Sequence, residues 1–167
     1  MLLRPGQPAY PSLLLETRAR WQIPNEMRPD LNPVVRAESI RIWRENRPNA
    51  RLRSITGTYN CIGLIVASRR TWVDPGDLLR VLTDDGYRRL RGEAEAELGD
   101  VVVYRDHARE VCHAGIVVRK NLYDPTNPGE ALVVLSKWGQ EGEYEHDASD
   151  VPELCGQPVE FWTDRKG

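Results

Sequence analysis

The stretch Asn60-Cys61-Ile62-Gly63-Leu64-Ile65-Val66-Ala67 decides how this chain folds, because a chemically reactive residue opens an otherwise apolar run. Its conformation is open from periodicity alone: Ile62, Leu64, Ile65 and Val66 suit a buried strand as well as a central helix that is apolar all round. Ser54-Ile55-Thr56-Gly57-Thr58, just before it, supplies turn and capping residues. Downstream, Gly99-Asp100-Val101-Val102-Val103-Tyr104 reads as a turn feeding a strand, and His113 opens a second apolar run. Cys61 and His113 stand about 50 positions apart. A catalytic thiolate needs an imidazole within hydrogen-bond reach, so the two can cooperate only if the fold brings them together.

Working outward, Asp74-Pro75-Gly76-Asp77 starts a helix: Asp74 caps it, Pro75 suits its first turn, and Leu78, Leu79 and Leu82 form its stripe. It ends near Asp84-Asp85-Gly86. Four strand-like runs follow, Val101–Arg105, His113–Arg119, Ala131–Ser136 and Pro158–Thr163, separated by loops, notably Asn121–Gly129. Upstream, Pro33–Asn46 carries a partial helical stripe of Val34, Val35, Ile40, Ile42 and Trp43 that Pro48 stops. Six of the twelve prolines fall in residues 1–33, which should be irregular apart from a short helix around Leu13–Trp21. Helices first and strands after is an α+β pattern with an antiparallel sheet.

The bulk properties bound the function. A chain of 167 residues fits one domain with a sizeable core. A net charge of -2 argues against a nucleic-acid binder or a membrane-surface protein. Arg36, Arg41, Arg44, Arg47, Arg51, Arg53, Arg69 and Arg70 gather in the first half, and a solvated helix face accounts for most of them. No apolar stretch reaches 18 residues and Met1-Leu2-Leu3-Arg4-Pro5-Gly6 lacks a secretory core, so the expected compartment is the cytoplasm. An odd count of three cysteines fits reduced thiols. Cys61, Cys112, His113, His146 and Cys155 are chemically able zinc ligands, but no Cys-x-x-Cys or His-x-x-x-His pair exists, so no metal or other cofactor is expected.

Strand alternation separates the second apolar run into two faces. His113, Gly115 and Val117 share one, with space around the imidazole; Cys112, Ala114, Ile116 and Val118 share the other. Cys112 should therefore point away from His113 and be structural. If Cys61 begins a helix, unpaired N–H groups and the positive dipole end would stabilise its thiolate.

Three fragments in order resemble the NlpC/P60 superfamily of papain-like cysteine peptidases and amidases. Asn60-Cys61-Ile62-Gly63-Leu64-Ile65 resembles that superfamily's nucleophile motif Asp-Cys-Ser-Gly-Leu-Val. Gly99-Asp100-Val101-Val102-Val103-Tyr104 resembles its Gly-Asp-Leu-Val-Phe-Phe segment, and His113-Ala114-Gly115-Ile116 its His-Val-Gly-Ile strand. The likeness spans roughly Thr58–Trp138. It implies a papain-like α+β core over residues 51–167, with the nucleophile helix packed on the sheet and residues 1–50 as a Pro/Arg-rich helical extension. Cys61 would be the nucleophile and His113 the general base, attacking a peptide or other amide through an acyl-enzyme.

The resemblance departs at the third member, where the superfamily carries His, Asn or Gln. Here the following strand ends Ser136-Lys137-Trp138-Gly139, which is similar to the Asn-Ser-Trp-Gly of papain and would put Ser136 in the orienting position. Lys137 has only donors and cannot accept from the imidazole. By the resemblance Tyr59 is the candidate for an upstream hydroxyl at the oxyanion, with packing as its alternative, and Trp138 either shields the site from water or packs. His146 reads as a solvated loop residue, with substrate contact or an orienting role as its functional alternatives. Ile62 in place of Ser and the altered third position leave a decayed, ligand-binding domain as the competing reading.

Overall fold

The computed structural model describes residues 10–121 and 131–166. Its strands are β1 (Asn25–Glu26), β2 (Arg51–Ser54), β3 (Trp72–Val73), β4 (Arg88–Arg89), β5 (Val101–Arg105), β6 (Val111–Asn121), β7 (Ala131–Lys137), β8 (Glu143–Asp147) and β9 (Gln157–Thr163). The helices are α1 (Pro33–Asn46), α2 (Cys61–Val66) and α3 (Leu78–Asp84). Seven strands form one sheet in the order β2-β8-β7-β6-β5-β9-β4, antiparallel throughout, and β1 pairs with β3 in a small second sheet. This is an α+β architecture with few helices. Most of the Asn121–Gly129 loop, and the N-terminal hexapeptide considered for export, lie outside the described residues.

Both faces of the sheet are buried, which is why Val101, Val102, Val103 and Tyr104 read as an unbroken apolar run. Alternation sends Val101, Val103 and Ala114 to one side, where they pack with Cys61, Ile62, Leu78, Val81 and Leu82 of the helices. Val102, Tyr104, Val117, Val134, Trp138 and Tyr144 fill the other side. The Cys61 run resolves as helix because Asn60 caps it, accepting the Gly63 N–H at 2.9 Å. Asp74 caps a single 3-10 turn at Pro75–Asp77 that runs on into α3.

Several expectations are corrected. Leu13–Trp21 is not helical: Glu16 bridges Gln22, and a turn with Arg20 at φ 65° reverses the chain. The Asn25 side chain, bonded to both main-chain groups of Leu13, holds that excursion closed more firmly than a helix of this length could hold itself. Helix α1 forms where expected, but its apolar stripe is largely outside the core; Val34 and Val35 are exposed, and contact with the sheet comes through Trp43. His146 lies in β8, not in a loop, and is buried. In β6 the expected alternation holds for Ala114 and Val117 but fails at Cys112. Tyr104 pairs with His113 and Arg105 with Val111, leaving Cys112 as the extra residue of a bulge, packed beside Tyr104 and Cys155.

Gly63 is required by a close approach: a Cβ there would sit 1.8 Å from the Thr71 carbonyl oxygen. Backbone cannot yield as a side chain can. Gly63→Ala should therefore destabilise the protein by about 3 kcal/mol or more in urea melts; an unchanged midpoint would contradict this packing.

Candidate functional site

Cys61 is the first residue of α2, and its position is set by Asn60. The Asn60 side-chain oxygen Oδ1 accepts from the Gly63 N–H and, at 3.2 Å, from the Val73 N–H, while its side-chain Nδ2 donates to the Val73 carbonyl at 2.7 Å. The start of the helix is thereby pinned to β3. The sulfur packs with Ala114 of β6, and the main-chain N–H groups of Ala114, Ile62 and Cys61 favour its thiolate form. Burial outweighs these donors and pushes the thiol up to about 11.

His113 sits on β6 with its ring edge-on to Tyr104, centroids 5.1 Å apart. Burial, with His146 on the same side, pushes its imidazole down to about 3. Cys61 and His113 line one cavity of about 870 Å³, so the fold brings them to a common space. They are not hydrogen-bonded, and His113 Nε2 is the one buried side-chain nitrogen or oxygen among the described residues without a partner. At rest the two groups are therefore a neutral thiol and a neutral imidazole.

The other candidates divide between the faces of the sheet. Trp138 lines the cavity, stacks on Tyr144 at 4.1 Å and donates its indole N–H to Ser136. Ser136 does not reach His113; its Oγ lies 2.7 Å from His146 Nε2. His146 is behind the cavity wall, its Nδ1 2.7 Å from the Asp147 carbonyl. Tyr59 is turned away from the cavity and donates its hydroxyl to Glu143 at 2.6 Å. The phenol is pushed up to about 12, first by burial and then by that carboxylate.

Two features were missed by reading the sequence. Lys137, opposite Ser136 by strand alternation, is fully buried on the α2 side. Its Nζ donates to the Gly139 carbonyl and lies 5.3 Å over the Tyr59 ring, within a network completed by the Arg69–Glu143 ion pair. Burial pushes that ammonium down to about 8. A lysine and a glutamate at facing register positions, Lys137 and Glu143, were the available signal. The second feature is the N-terminal segment: Pro24, Asn25, Arg28 and Leu31 form one wall of the cavity. Trp43, Trp72 and Trp138 also line it, with their indole N–H groups bonded to Glu141, the Gly57 carbonyl and Ser136. They thus offer the cavity apolar ring surface only.

A family profile described as a domain of unknown function, DUF7689, matches residues 52–162. The chain belongs to the DUF7689 family. No curated protein and no solved structure matches it. The DUF7689 match runs from β2 to β9 and includes Cys61 and His113, whereas α1 and the cavity wall at residues 24–31 precede it. Among the described residues no helix is long and apolar enough to cross a membrane.

Unfolded histidine titrates near 6.5, whereas folded His113 is held at about 3. Between these values the unfolded chain binds a proton that the native state refuses, so stability present above pH 6.5 is lost as pH falls towards 3. The His146 shift has the same sign. Urea midpoints should fall from about pH 7 to pH 4, and His113→Asn should flatten part of that slope. A wild-type profile flat over this range would contradict a buried neutral imidazole.

Proposed function

We propose that this protein is a cysteine-dependent amide hydrolase with a papain-like, NlpC/P60-type core, in which Cys61 is the nucleophile and His113 the general base. The observation that carries the reading is the shared cavity: a thiol at the first residue of a capped helix and an imidazole from the facing strand open onto the same space. The three sequence fragments that resemble that superfamily lie on α2, on the turn into β5 and on β6.

The resting pair is neutral, so the thiolate forms when substrate is bound. Cys61 passes its proton to His113 as sulfur attacks the amide carbonyl; the imidazolium then protonates the leaving amine, and water resolves the acyl-enzyme. In this reading the Cys61 N–H, which favours the thiolate form of the neighbouring sulfur, donates to the developing oxyanion. Apolar ring faces of three tryptophans favour peptide or other amide substrates with apolar groups next to the scissile bond.

A second reading, a ligand-binding domain with a decayed site, is favoured by the unpartnered His113 Nε2 and by the raised thiol. Labelling with a peptidyl acyloxymethyl ketone, mapped by mass spectrometry, separates the two. The hydrolase should be modified at Cys61 in preference to Cys112 and Cys155, and His113→Ala should slow this by roughly 10²-fold or more. A native protein that leaves Cys61 unmodified by the ketone, while iodoacetamide alkylates all three thiols of the urea-unfolded chain, would overturn the hydrolase and favour the binding domain instead.

A further inference from the structure

Three polar side chains, His113, Ser136 and His146, lie on the same face of the sheet. His146 Nδ1 lies 2.7 Å from the Asp147 carbonyl oxygen, and a carbonyl can only accept. Nδ1 must therefore carry a proton. Burial holds the His146 imidazole below its ordinary pKa, so at neutral pH it has a single proton and its Nε2 is a lone pair. Ser136 Oγ lies 2.7 Å from that Nε2, and the hydroxyl proton is thus committed to His146.

The consequence falls on the serine oxygen. With its proton directed at His146, it offers two lone pairs, of which one receives the Trp138 N–H at 3.1 Å. One acceptor site remains. On the same face, buried and without a partner, is His113 Nε2. Gly115, directly opposite Ser136 and two residues from His113, carries no side chain on this face, and a Cβ there would press on Val134 at 2.3 Å, the Leu135 carbonyl oxygen at 3.0 Å and the Ser136 Cβ at 3.1 Å.

We propose that His146 is a positioning residue which, acting through Ser136, fixes the His113 imidazole with its proton on Nε2 and its lone pair on Nδ1. His113 Nε2–H donates to Ser136 Oγ, Ser136 O–H to His146 Nε2, and His146 Nδ1–H to the Asp147 carbonyl. The first of these bonds is open in the structure and tightens when substrate fills the cavity, as catalytic hydrogen bonds commonly do. The role rests on the hydrolase reading above: during attack the Cys61 proton moves to Nδ1, both ring nitrogens of His113 then carry protons, and the Ser136 oxygen accepts from the imidazolium. No proton leaves the relay.

The test uses two readouts on the full chain. Nitrogen-15 NMR of histidine-labelled protein carrying the covalent ketone adduct at Cys61, or free protein if no adduct forms, reports tautomers directly. Protonated Nε2 is expected for His113 and protonated Nδ1 for His146. The design relies on His146→Gln, whose amide can donate to Asp147 and accept from Ser136, against His146→Leu, which can do neither. His146→Leu should mix the His113 tautomers and slow Cys61 labelling about tenfold, a fraction of the roughly 10²–10⁴ attributable to a general base, while His146→Gln restores both. Ser136→Ala, read in the same way, replaces His146→Leu should the latter not fold. A His113 protonated on Nδ1, or a tautomer indifferent to these substitutions, overturns the relay whatever the activity. An unreactive Cys61 in a protein with the expected tautomers overturns the hydrolase reading and leaves the relay as a structural device.

Discussion

The arrangement of the site depends on the side chain of Asn60. It is buried, and its amide group ends the first turn of α2 and grips both main-chain groups of Val73. A cap on an isolated six-residue helix would do little, because so short a helix is barely stable alone. Here the cap is also a clamp between two elements. It sets where α2 begins, and so where the sulfur of its first residue meets the backbone of β6. Gly63 completes the constraint by letting the Thr71 carbonyl approach the helix directly.

The sheet then imposes a division of labour. Because side chains alternate across it, Ser136 and Lys137 belong to different worlds although they are neighbours in the chain. On the α2 side, Lys137, Glu143 and Tyr59 form a buried polar network, joined from the surface by Arg69, next to the helix that carries Cys61. On the other side, Ser136 and His146 share a hydrogen bond behind the cavity wall, and Trp138 of that wall joins them through its indole N–H. Cys61 and His113 are the residues through which the two sides open on the common cavity. A bulge at Cys112 ends the regular alternation one residue before His113 and turns Cys112 towards Tyr104.

Much of this was legible in the chain itself. The runs at Val101–Arg105 and Ala131–Ser136 are long, apolar and bounded by turn residues, and they became β5 and β7 almost to the residue. Pro33 and Asn46 bracket α1 because proline and capping signals act locally. Cys61 and His113 could be singled out because their residue types are rare here and their neighbours are apolar. The charged run Glu143–Asp147 gave no apolar signal as a strand: Tyr144 and His146 face inward between acidic residues that face out or pair with cations. Leu13–Trp21 misled in the opposite direction, since its leucines suggested a helix that a distant asparagine, Asn25, forbids.

Sequence alone determined the class of architecture and the nucleophile and imidazole candidates, because turns and alternation are properties of neighbouring residues, whereas the apolar run at Cys61 stayed open between strand and helix until its packing was seen. Only the tertiary structure decided what each candidate touches. The partners of Ser136, Tyr59 and His146 lie on other strands or helices or, for Asp147, at the next carbonyl along a strand whose existence depends on pairing with β7. Hydrogen bonds between strands follow register, and register is a property of the whole sheet rather than of any one segment.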